Sequence, residues 1–350
     1  LGFPLLKGTV ETVLLTVPEL SQGQEEGTGS FLLELGTEEI PASMAHRAAR
    51  DLLKLIKVQL KAWGLETIEG EHVDCTPRRL VIAFDAVSLT QADREEVAKG
   101  PPKRIAYDEN GEPTRAGQAF LDKVKPDDDF FIEATPKGEY LMVRRKEQGR
   151  STRSLLAEAL PSLIAKIHWA KPMRWGREKT PFVRPIHWIV CALNEALVPF
   201  AFADVVSGLE SRGHRFHAPD SFEAKTWASL ESELGERKVL LSSALRRERI
   251  RSAVTDLAAS VGGRPVEDAA LLEEVTHILE WPVAHLGSFE PELLELPRQA
   301  VVTPMRVHQR YFPIEDSDGN LMPNFIVVAG SETRDGALVA HGNARVLRAR

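Results

Sequence analysis

Apolar residues recur at helical spacing between residues 42 and 63, and this is the strongest secondary-structure signal in the chain. The positions that share one helix face are Met44, Ala48, Leu52, Leu55, Ile56, Leu60 and Trp63. Pro41 suits the first turn of a helix, and Gly64 suits its carboxyl-terminal stop. The pattern therefore predicts a long amphipathic helix between these two residues.

Shorter apolar runs on either side of this helix predict β-strands. They cover residues 31–36, 78–87 and 139–148 and are rich in Leu, Val and other strand-forming residues. A stretch rich in Gly, Pro and Asp separates the last two runs. We therefore assign one domain of mixed helix and sheet to residues 31–149.

Residues 150–350 predict a second mixed domain. Ser151 can cap a helix, which Pro161 should kink or restart. Because no regular β-α-β alternation and no internal repeat occur, the expected fold class is α+β, with two or more domains and no doubly wound sheet. Further strands are predicted at residues 185–193, 197–206, 282–287 and 324–330, and further helices at residues 228–234, 243–260 and 268–280.

Composition adds the expected setting of the protein. The chain has 350 residues, of which 43% are hydrophobic and 27% charged, enough to bury a full core. It has only two cysteines, Cys75 and Cys191, and no apolar run near the ~20 residues that a membrane span needs. We therefore expect a soluble, cytoplasmic protein with no membrane partner. Its formal net charge of −7 means that any site for a polyanion must be local.

Motifs for common catalytic chemistry do not occur in the sequence. It has no P-loop, no glycine pattern for dinucleotides and no cysteine pair with zinc spacing. His214 and His217 could ligate a metal, but a loop histidine bonded to backbone is the favoured interpretation. Glu38 and Glu39 could act as acid or base, although negative charge near a helix start is favourable by itself. We therefore predict no catalytic, cofactor-binding or metal-binding residue.

The segment "PMRWGREKTPFVRPIHW", residues 172–188, concentrates basic and aromatic side chains. Guanidinium groups pair with phosphate, and aromatic faces stack on unpaired bases, so the composition suits RNA. The alternative is that the aromatic residues belong to the core and the charges are solvated or paired. Composition leaves both interpretations open. The residues concerned are Lys171, Arg174, Trp175, Arg177, Lys179, Phe182, Arg184 and Trp188.

Other basic segments extend this pattern. Residues 304–313 contain Arg306, His308 and Arg310 beside two aromatic residues, and Arg78 and Arg79 precede a predicted strand. Residues 246–252 are also basic, but they fall on a predicted helix. Since Leu245, Ile250 and Val254 mark the buried side of that helix, we expect its arginines to be solvated.

Several motifs together resemble the β subunit of bacterial glycyl-tRNA synthetase. They include "LLELGTEEIPA", "CTPRRLVI", "MRWG", "FVRPIHWIV", "GHRF", "LLEEVTHILEWPV", "MRVHQRYFP" and "GNARVLRAR". The resemblance runs from about residue 31 to residue 350. Where the family usually has glutamate, this chain has Val307 and Ala344, which puts in doubt any ion pair of the neighbouring arginines with those carboxylates.

The first residues carry a second resemblance, to the end of the catalytic α subunit of the same enzyme. "LGFPLL" is similar to that carboxyl terminus, which implies that residues 1–8 end an α-like portion. Residues 9–30 are then expected to form a flexible linker in a protein that fuses α and β. The resemblance also implies that a helical HD-type domain follows residue 350.

The resemblance implies a part in joining glycine to tRNA(Gly). ATP, magnesium and glycine would act at the α portion, while this chain would bind and position tRNA. The expected assembly is a homodimer of fused chains or an α2β2 enzyme. Alternatives are a scaffold between the catalytic and anticodon-binding parts, or an editing-type domain. From the residues themselves we predict tRNA contacts for Arg78, Arg79, Lys171, Arg174, Trp175, Arg177, Arg184, Arg215, Arg306, His308 and Arg310.

Overall fold

The computed structural model of the chain describes residues 15–19, 25–65, 67–175 and 180–348. The predicted α-like end, residues 1–8, lies outside these residues, as does much of the predicted linker, residues 9–30. The first strand, Thr28–Thr37, begins inside that predicted linker. Regular structure therefore starts a little earlier than expected.

Helices and strands follow one another irregularly along the described residues, which confirms the α+β class. The strands are β1 (Thr28–Thr37), β2 (Ile68–Thr76), β3 (Arg79–Ser88), β4 (Arg94–Pro102), β5 (Asp129–Thr135), β6 (Gly138–Glu147), β7 (Ile186–Leu193), β8 (Ala196–Leu197), β9 (Ala201–Phe202), β10 (Val205–Val206), β11 (Glu210–Arg212), β12 (Ser221–Glu223), β13 (Arg264–Pro265), β14 (Val283–Ser288), β15 (Phe312–Glu315) and β16 (Leu321–Ala329). The helices are α1 (Ala42–Ala62), α2 (Lys103–Ala106), α3 (Arg115–Leu121), α4 (Thr152–Ala165), α5 (Trp227–Glu236), α6 (Ser243–Ser260), α7 (Ala269–Ile278), α8 (Arg298–Thr303) and α9 (Gly336–Arg348), with a 3₁₀ turn at Pro291–Glu295 and a π-helical turn at Pro304–Gln309.

A five-stranded antiparallel sheet, in the order β2-β3-β1-β7-β8, forms the centre of the molecule. On strand β1, Leu33 lies opposite Ile82 of β3 on one side and Cys191 of β7 on the other. Strand β7 comes from the second predicted domain and β1 from the first. The predicted boundary at 149/150 is therefore wrong, because backbone pairing joins the two segments into one sheet.

Both faces of this sheet are covered. Leu33 and Leu35 belong to a core with α1 and α4, whereas Leu32 belongs to a second core with α5. Burial on both sides explains why β1 reads as an apolar run rather than a strict alternation. The predicted helix at α1 is confirmed. Helix α4 continues through Pro161 as one element, so the predicted restart does not occur.

An insertion between β3 and α4 forms a separate three-stranded sheet, β4-β6-β5, with α2 and α3. Its two chain ends pair where they leave the central body: the amide of Gln91 donates to the carbonyl of Arg150 at 3.1 Å, and that of Thr152 to Leu89 at 2.8 Å. A Cβ on Gly149 would lie 1.8 Å from the Gln91 carbonyl oxygen, so this crossing requires glycine.

A second unit near the carboxyl end contains the sheet β13-β15-β16-β14. Helices α6 and α7 cover one face, and α9 with the π-helical turn covers the other. Arg246 of α6 is fully buried and donates to the carbonyls of Cys75 and Thr276 at 2.6 and 3.0 Å. Leu245 is exposed instead. The prediction of solvated arginines on α6 is therefore wrong for Arg246, whose guanidinium fastens this unit to strand β2.

Candidate functional site

Three of the sequence motifs meet where β1 leaves the central sheet and α1 begins. The amide of Glu38 donates to the carbonyl of Pro185 at 3.0 Å, and the amide of Ile40 donates to that of Pro77 at 2.6 Å. These bonds hold "TEEIP" between "TPRR" and "FVRP". Arginines from separate parts of the chain consequently gather around two carboxylates.

We call this gathering the arginine surface, and it consists of Arg78, Arg184, Arg212 and Arg215 beside Glu38 and Glu39. Arg215 donates to Glu38 at 3.1 Å and to Glu39 at 3.2 Å, and His187 lies 3.0 Å from Glu38. Burial alone would raise the pKa of Glu38, but Arg215 and His187 lower it. Helix α1 begins only at Ala42, so these carboxylates bind arginine rather than cap a helix.

Two arginines of this surface bind no carboxylate within the described residues. Arg184 donates to the backbone carbonyls of Glu39 and Val183, at 3.0 and 2.9 Å. Arg212 is exposed and lies over the ring of Trp188. Sequence reasoning missed Arg212, although it stands immediately before the "GHRF" motif.

Trp188 organises the arginines. The guanidinium carbons of Arg78, Arg79 and Arg212 lie 5.6, 5.5 and 5.6 Å from the centre of its ring, within range of cation–π attraction. A Cβ on Gly36 would lie 1.9 Å from this ring, so the indole crosses β1 only because glycine stands there. Trp188 is itself buried, so its ring is a fixed support on which the three guanidinium groups lie.

Arg78 lies at the inner edge of the surface. Its side chain is nine-tenths buried, and its Nε has no hydrogen-bond partner among the described residues. Burial lowers the pKa of Arg78, and the nearby charges of Arg215 and Arg79 lower it further, while Glu280 opposes them. A buried, unpaired donor of this kind gains most from an added acceptor.

Arg79 lies in the interior. It is fully buried, with Nη1 2.9 Å from Glu34 and Nε 3.2 Å from Glu280, which also accepts from the Thr76 hydroxyl at 2.6 Å. Burial raises the pKa of Glu34. Burial would also raise the pKa of Glu280, but Arg79 and Thr76 lower it. Arg79 thus ties the end of α7 to the central sheet and has no exposed face for tRNA.

The aromatic side chains expected to stack on bases are mostly in the core. Phe182, Tyr311 and Phe312 are buried along with Trp188, and Trp175 is half-buried against the core beside α1 and α4. Of the two interpretations of these aromatic residues, the structure favours the core. The nucleic-acid surface predicted from the sequence would therefore depend on the cationic groups alone.

The rest of the basic segment lies in the connection between α4 and β7. Met173 and Phe182 exchange backbone hydrogen bonds of 2.7 and 3.1 Å, which anchor its two sides. Lys171 and Arg174 are exposed there. Arg177 lies outside the described residues.

The predicted cluster at the π-helical turn is separate from the arginine surface. Arg306 pairs with Asp268, and Arg310 donates to Glu274 at 2.8 Å, while His308 is exposed. Asp268 also caps α7. Arg306 thus binds the carboxylate that caps α7.

His214 and His217 form hydrogen bonds with backbone groups, as the favoured interpretation predicted. His214 is buried, with Nε2 2.8 Å from the carbonyl of Gly330, and Nε2 of His217 accepts from the amide of Glu332 at 3.0 Å. Burial lowers the pKa of His214. Across the described ranges, no group of three or more His, Cys, Asp or Glu could hold a metal ion.

None of the helices in the part of the chain that the structure describes has both the length and the apolar character to cross a bilayer. Cys75 and Cys191 are both buried and unpaired.

Comparison with known proteins gives a consistent result. A family model described as glycyl-tRNA synthetase beta subunit matches residues 31–350. A curated relative named glycine–tRNA ligase beta subunit, from Geotalea uraniireducens, is 42% identical over 325 residues, which cover 92% of this chain and 47% of the relative. Proteins of the same name from Geotalea daltonii and Citrifermentans bemidjiense are 41% and 42% identical over 91% of the chain. The chain spans about half the length of these relatives.

Proposed function

Since the chain belongs to the glycyl-tRNA synthetase β-subunit family, we propose that it is part of a glycine–tRNA ligase and that its arginine surface binds tRNA(Gly). The observation that carries this proposal is the set of guanidinium groups without carboxylate partners. Among the described residues, Arg184 and Arg212 bind no carboxylate, and Nε of Arg78 is unpaired. Phosphate oxygens would supply the acceptors that these groups lack.

We assign the chemical steps to another part of the enzyme. Glycine, ATP and magnesium would form the adenylate at the α portion, and this chain would hold the tRNA in place in the cytoplasmic assembly. That assembly would be a homodimer of fused chains or an α2β2 enzyme. The arginine surface then contributes binding energy and orientation rather than bond making.

A double variant of half-buried Arg184 and exposed Arg212 tests the proposal in the complete enzyme. Arg184→Gln with Arg212→Gln should weaken tRNA(Gly) binding about tenfold or more at low salt, because two phosphate contacts are lost. The slope of log affinity against log salt should fall by about 1.4 to 1.8. Filter binding across a salt series measures both quantities. ATP–pyrophosphate exchange should stay near the wild-type rate.

A matched control removes the same charge elsewhere. Arg104 and Arg115 are exposed in the insertion and form no ion pair within the described structure. The Arg104→Gln and Arg115→Gln double variant should bind tRNA almost as the wild type does. Equal losses in both double variants would mean that overall charge, not this surface, sets the affinity.

A second candidate function is a scaffold that sets the distance between the catalytic and anticodon-binding parts. The buried contacts of Arg79 and Arg246 favour it, because they lock the carboxyl-terminal unit onto the central sheet. In that case Arg184→Gln with Arg212→Gln would leave tRNA affinity unchanged. Substitutions of exposed apolar residues would instead dissociate the assembly.

A further inference from the structure

Phe216 carries the most exposed aromatic ring in the described part of the chain, with a side chain that is 76% exposed. It follows Arg215 of the arginine surface, whose guanidinium carbon lies 5.9 Å from the centre of the ring. We propose that this ring stacks on an unpaired base of the tRNA, so that the arginine surface holds a single-stranded stretch rather than a duplex. This inference rests on the proposed function and specifies the form of RNA that the surface takes.

The turn that carries Phe216 is fixed by hydrogen bonds to a buried histidine. Nδ1 of His214 accepts from the amides of Phe216 and His217, each at 3.3 Å. Nε2 of the same ring donates to the carbonyl of Gly330 at 2.8 Å. Burial lowers the pKa of His214, which favours the neutral ring that can accept at one nitrogen and donate at the other. The amide of Ala218 bonds to the carbonyl of His214 at 2.9 Å, so the backbone holds the exposed ring in one place.

The ring of Phe216 takes no part in the core. It belongs to none of the four hydrophobic clusters of the described residues. Its ring neighbours are the imidazole of His214, at 6.0 Å between centroids, and the guanidinium of Arg215. Substitution of Phe216 should therefore leave the fold intact. An exposed ring of this kind gains free energy when a flat apolar surface covers it.

The charges around the ring indicate what that flat surface is. Arg215 and Arg184 both bind Glu39, through its carboxylate at 3.2 Å and its backbone carbonyl at 3.0 Å. Arg212 precedes Phe216 by four residues, so their Cα atoms lie at most about 14 Å apart. A nucleotide offers a base face to the ring and a phosphate to these guanidinium groups. An apolar protein segment would cover the ring but would bring no acceptors for the arginines.

The geometry of RNA restricts the partner further. In a duplex each base is already stacked on its neighbours, so its face is not open to a side chain. Unpaired bases can turn outward and stack on aromatic rings or on guanidinium planes. Phe216 and Arg215 provide one of each, side by side. The arginine surface is therefore suited to a single-stranded part of tRNA(Gly).

Filter binding of tRNA(Gly) to the complete enzyme tests the role of the ring. Phe216→Leu should weaken binding about fivefold or more, because one stacked base is lost. The slope of log affinity against log salt should stay at the wild-type value, since no cation is removed. Phe216→Trp keeps a flat ring and should bind close to the wild-type affinity. The control Val58→Ala, at another exposed apolar position on α1, should change nothing.

A short RNA that contains 2-aminopurine reports stacking directly, because the fluorescence of this base falls when it stacks. The wild-type enzyme should quench the single strand more than the Phe216→Leu variant does. Annealing the RNA to its complement should remove the difference between the two proteins. Equal quenching of the single strand by both proteins would contradict the inference.

The remaining outcomes separate this inference from the proposed function. Unchanged tRNA affinity in Phe216→Leu overturns the stacking role, and dissociation of that variant's assembly in light scattering would show that the ring contacts protein instead. If only the Arg184 and Arg212 double variant loses tRNA affinity, the proposed function survives without stacking. If neither variant loses affinity, both the proposed function and the stacking role are overturned.

Discussion

Arg79 and Arg212 lie against the same tryptophan ring, at 5.5 and 5.6 Å, yet they occupy opposite environments. Arg79 is enclosed and bound by Glu34 and Glu280, whereas Arg212 is exposed and binds no carboxylate within the described residues. A residue type that suits RNA in the sequence therefore has two fates in the fold. An arginine in the interior connects structural units, and only an arginine at the rim can meet a ligand.

The largest expected effect is a difference in the free energy of unfolding between variants of Arg79 and Arg212. Arg79→Met should lower the free energy of unfolding by about 3 to 5 kcal/mol, because it leaves two carboxylates buried without their cation. Arg212→Met should cost less than about 1 kcal/mol, since its side chain is exposed. Urea denaturation measures both. Similar losses in the two variants would remove the distinction between interior and rim.

The pH dependence of stability distinguishes the two carboxyl groups that bind Arg79, which are those of Glu280 and Glu34. The pKa of Glu280 lies below its ordinary value of 4.5, so its stabilising contribution is complete at neutral pH and is lost as the pH falls below that value. Glu280→Gln should flatten the acid side of the stability curve by up to about 1.4 kcal/mol per pH unit.

Glu34 should show the opposite pH dependence from Glu280, because burial raises the pKa of Glu34. Its contribution is complete at low pH and declines as the pH rises through the raised value, so Glu34→Gln should steepen the acid side instead. Urea midpoints between pH 3 and pH 7 record both slopes. Equal slopes in the two variants would contradict the opposite signs.

A smaller effect is expected at the π-helical turn, where a partly buried ion pair can be compared with an exposed one. Asp268 caps α7, accepting from the Leu271 amide at 3.0 Å, and also binds Arg306. Asp268→Ala should therefore cost about 1 kcal/mol. Glu274→Ala, which removes only the exposed pair with Arg310, should cost less than about 0.5 kcal/mol. Thermal unfolding measures the stability of both variants. A larger loss of stability for Glu274→Ala than for Asp268→Ala would contradict the prediction.

The smallest effect concerns the carboxylates of the arginine surface. Glu39→Gln removes a negative charge that lies 3.2 Å from Arg215. It should strengthen tRNA(Gly) binding about twofold at low salt, with the gain disappearing at high salt. Filter binding at two salt concentrations is sufficient. Weaker binding would show that Glu39 positions Arg215 instead of competing for it.

Local pattern was enough to predict much of the secondary structure. Helix α6, Ser243–Ser260, coincides with the predicted residues 243–260, and α1 lies between the predicted Pro41 and Gly64. Each has several turns of one apolar face, so neighbouring residues determine the element. The domain boundary at 149/150 failed because the pairing of Leu33 with Cys191 joins residues far apart in the chain.

The candidate site was predictable only in part for the same reason. "TPRR", "FVRP" and "GHRF" were each recognised, but their meeting around Glu38 depends on long-range backbone bonds. The sequence does not distinguish Arg78 from Arg79, although Arg78 lies in the turn before β3 and Arg79 is the first residue of that strand. Arg246 belonged to a basic run and still became buried, because carbonyls from β2 and α7 surround it.

Because its two chain ends cross at Gly149, the insertion between β3 and α4 is structurally independent of the central sheet. Its chain ends are already joined by the bond between Gln91 and Arg150, so a turn of about two residues could replace everything beyond them. Variants that lengthen, exchange or remove this insertion should therefore leave the register of the central sheet unchanged. The same property makes its outer turn a suitable place to attach a fluorophore.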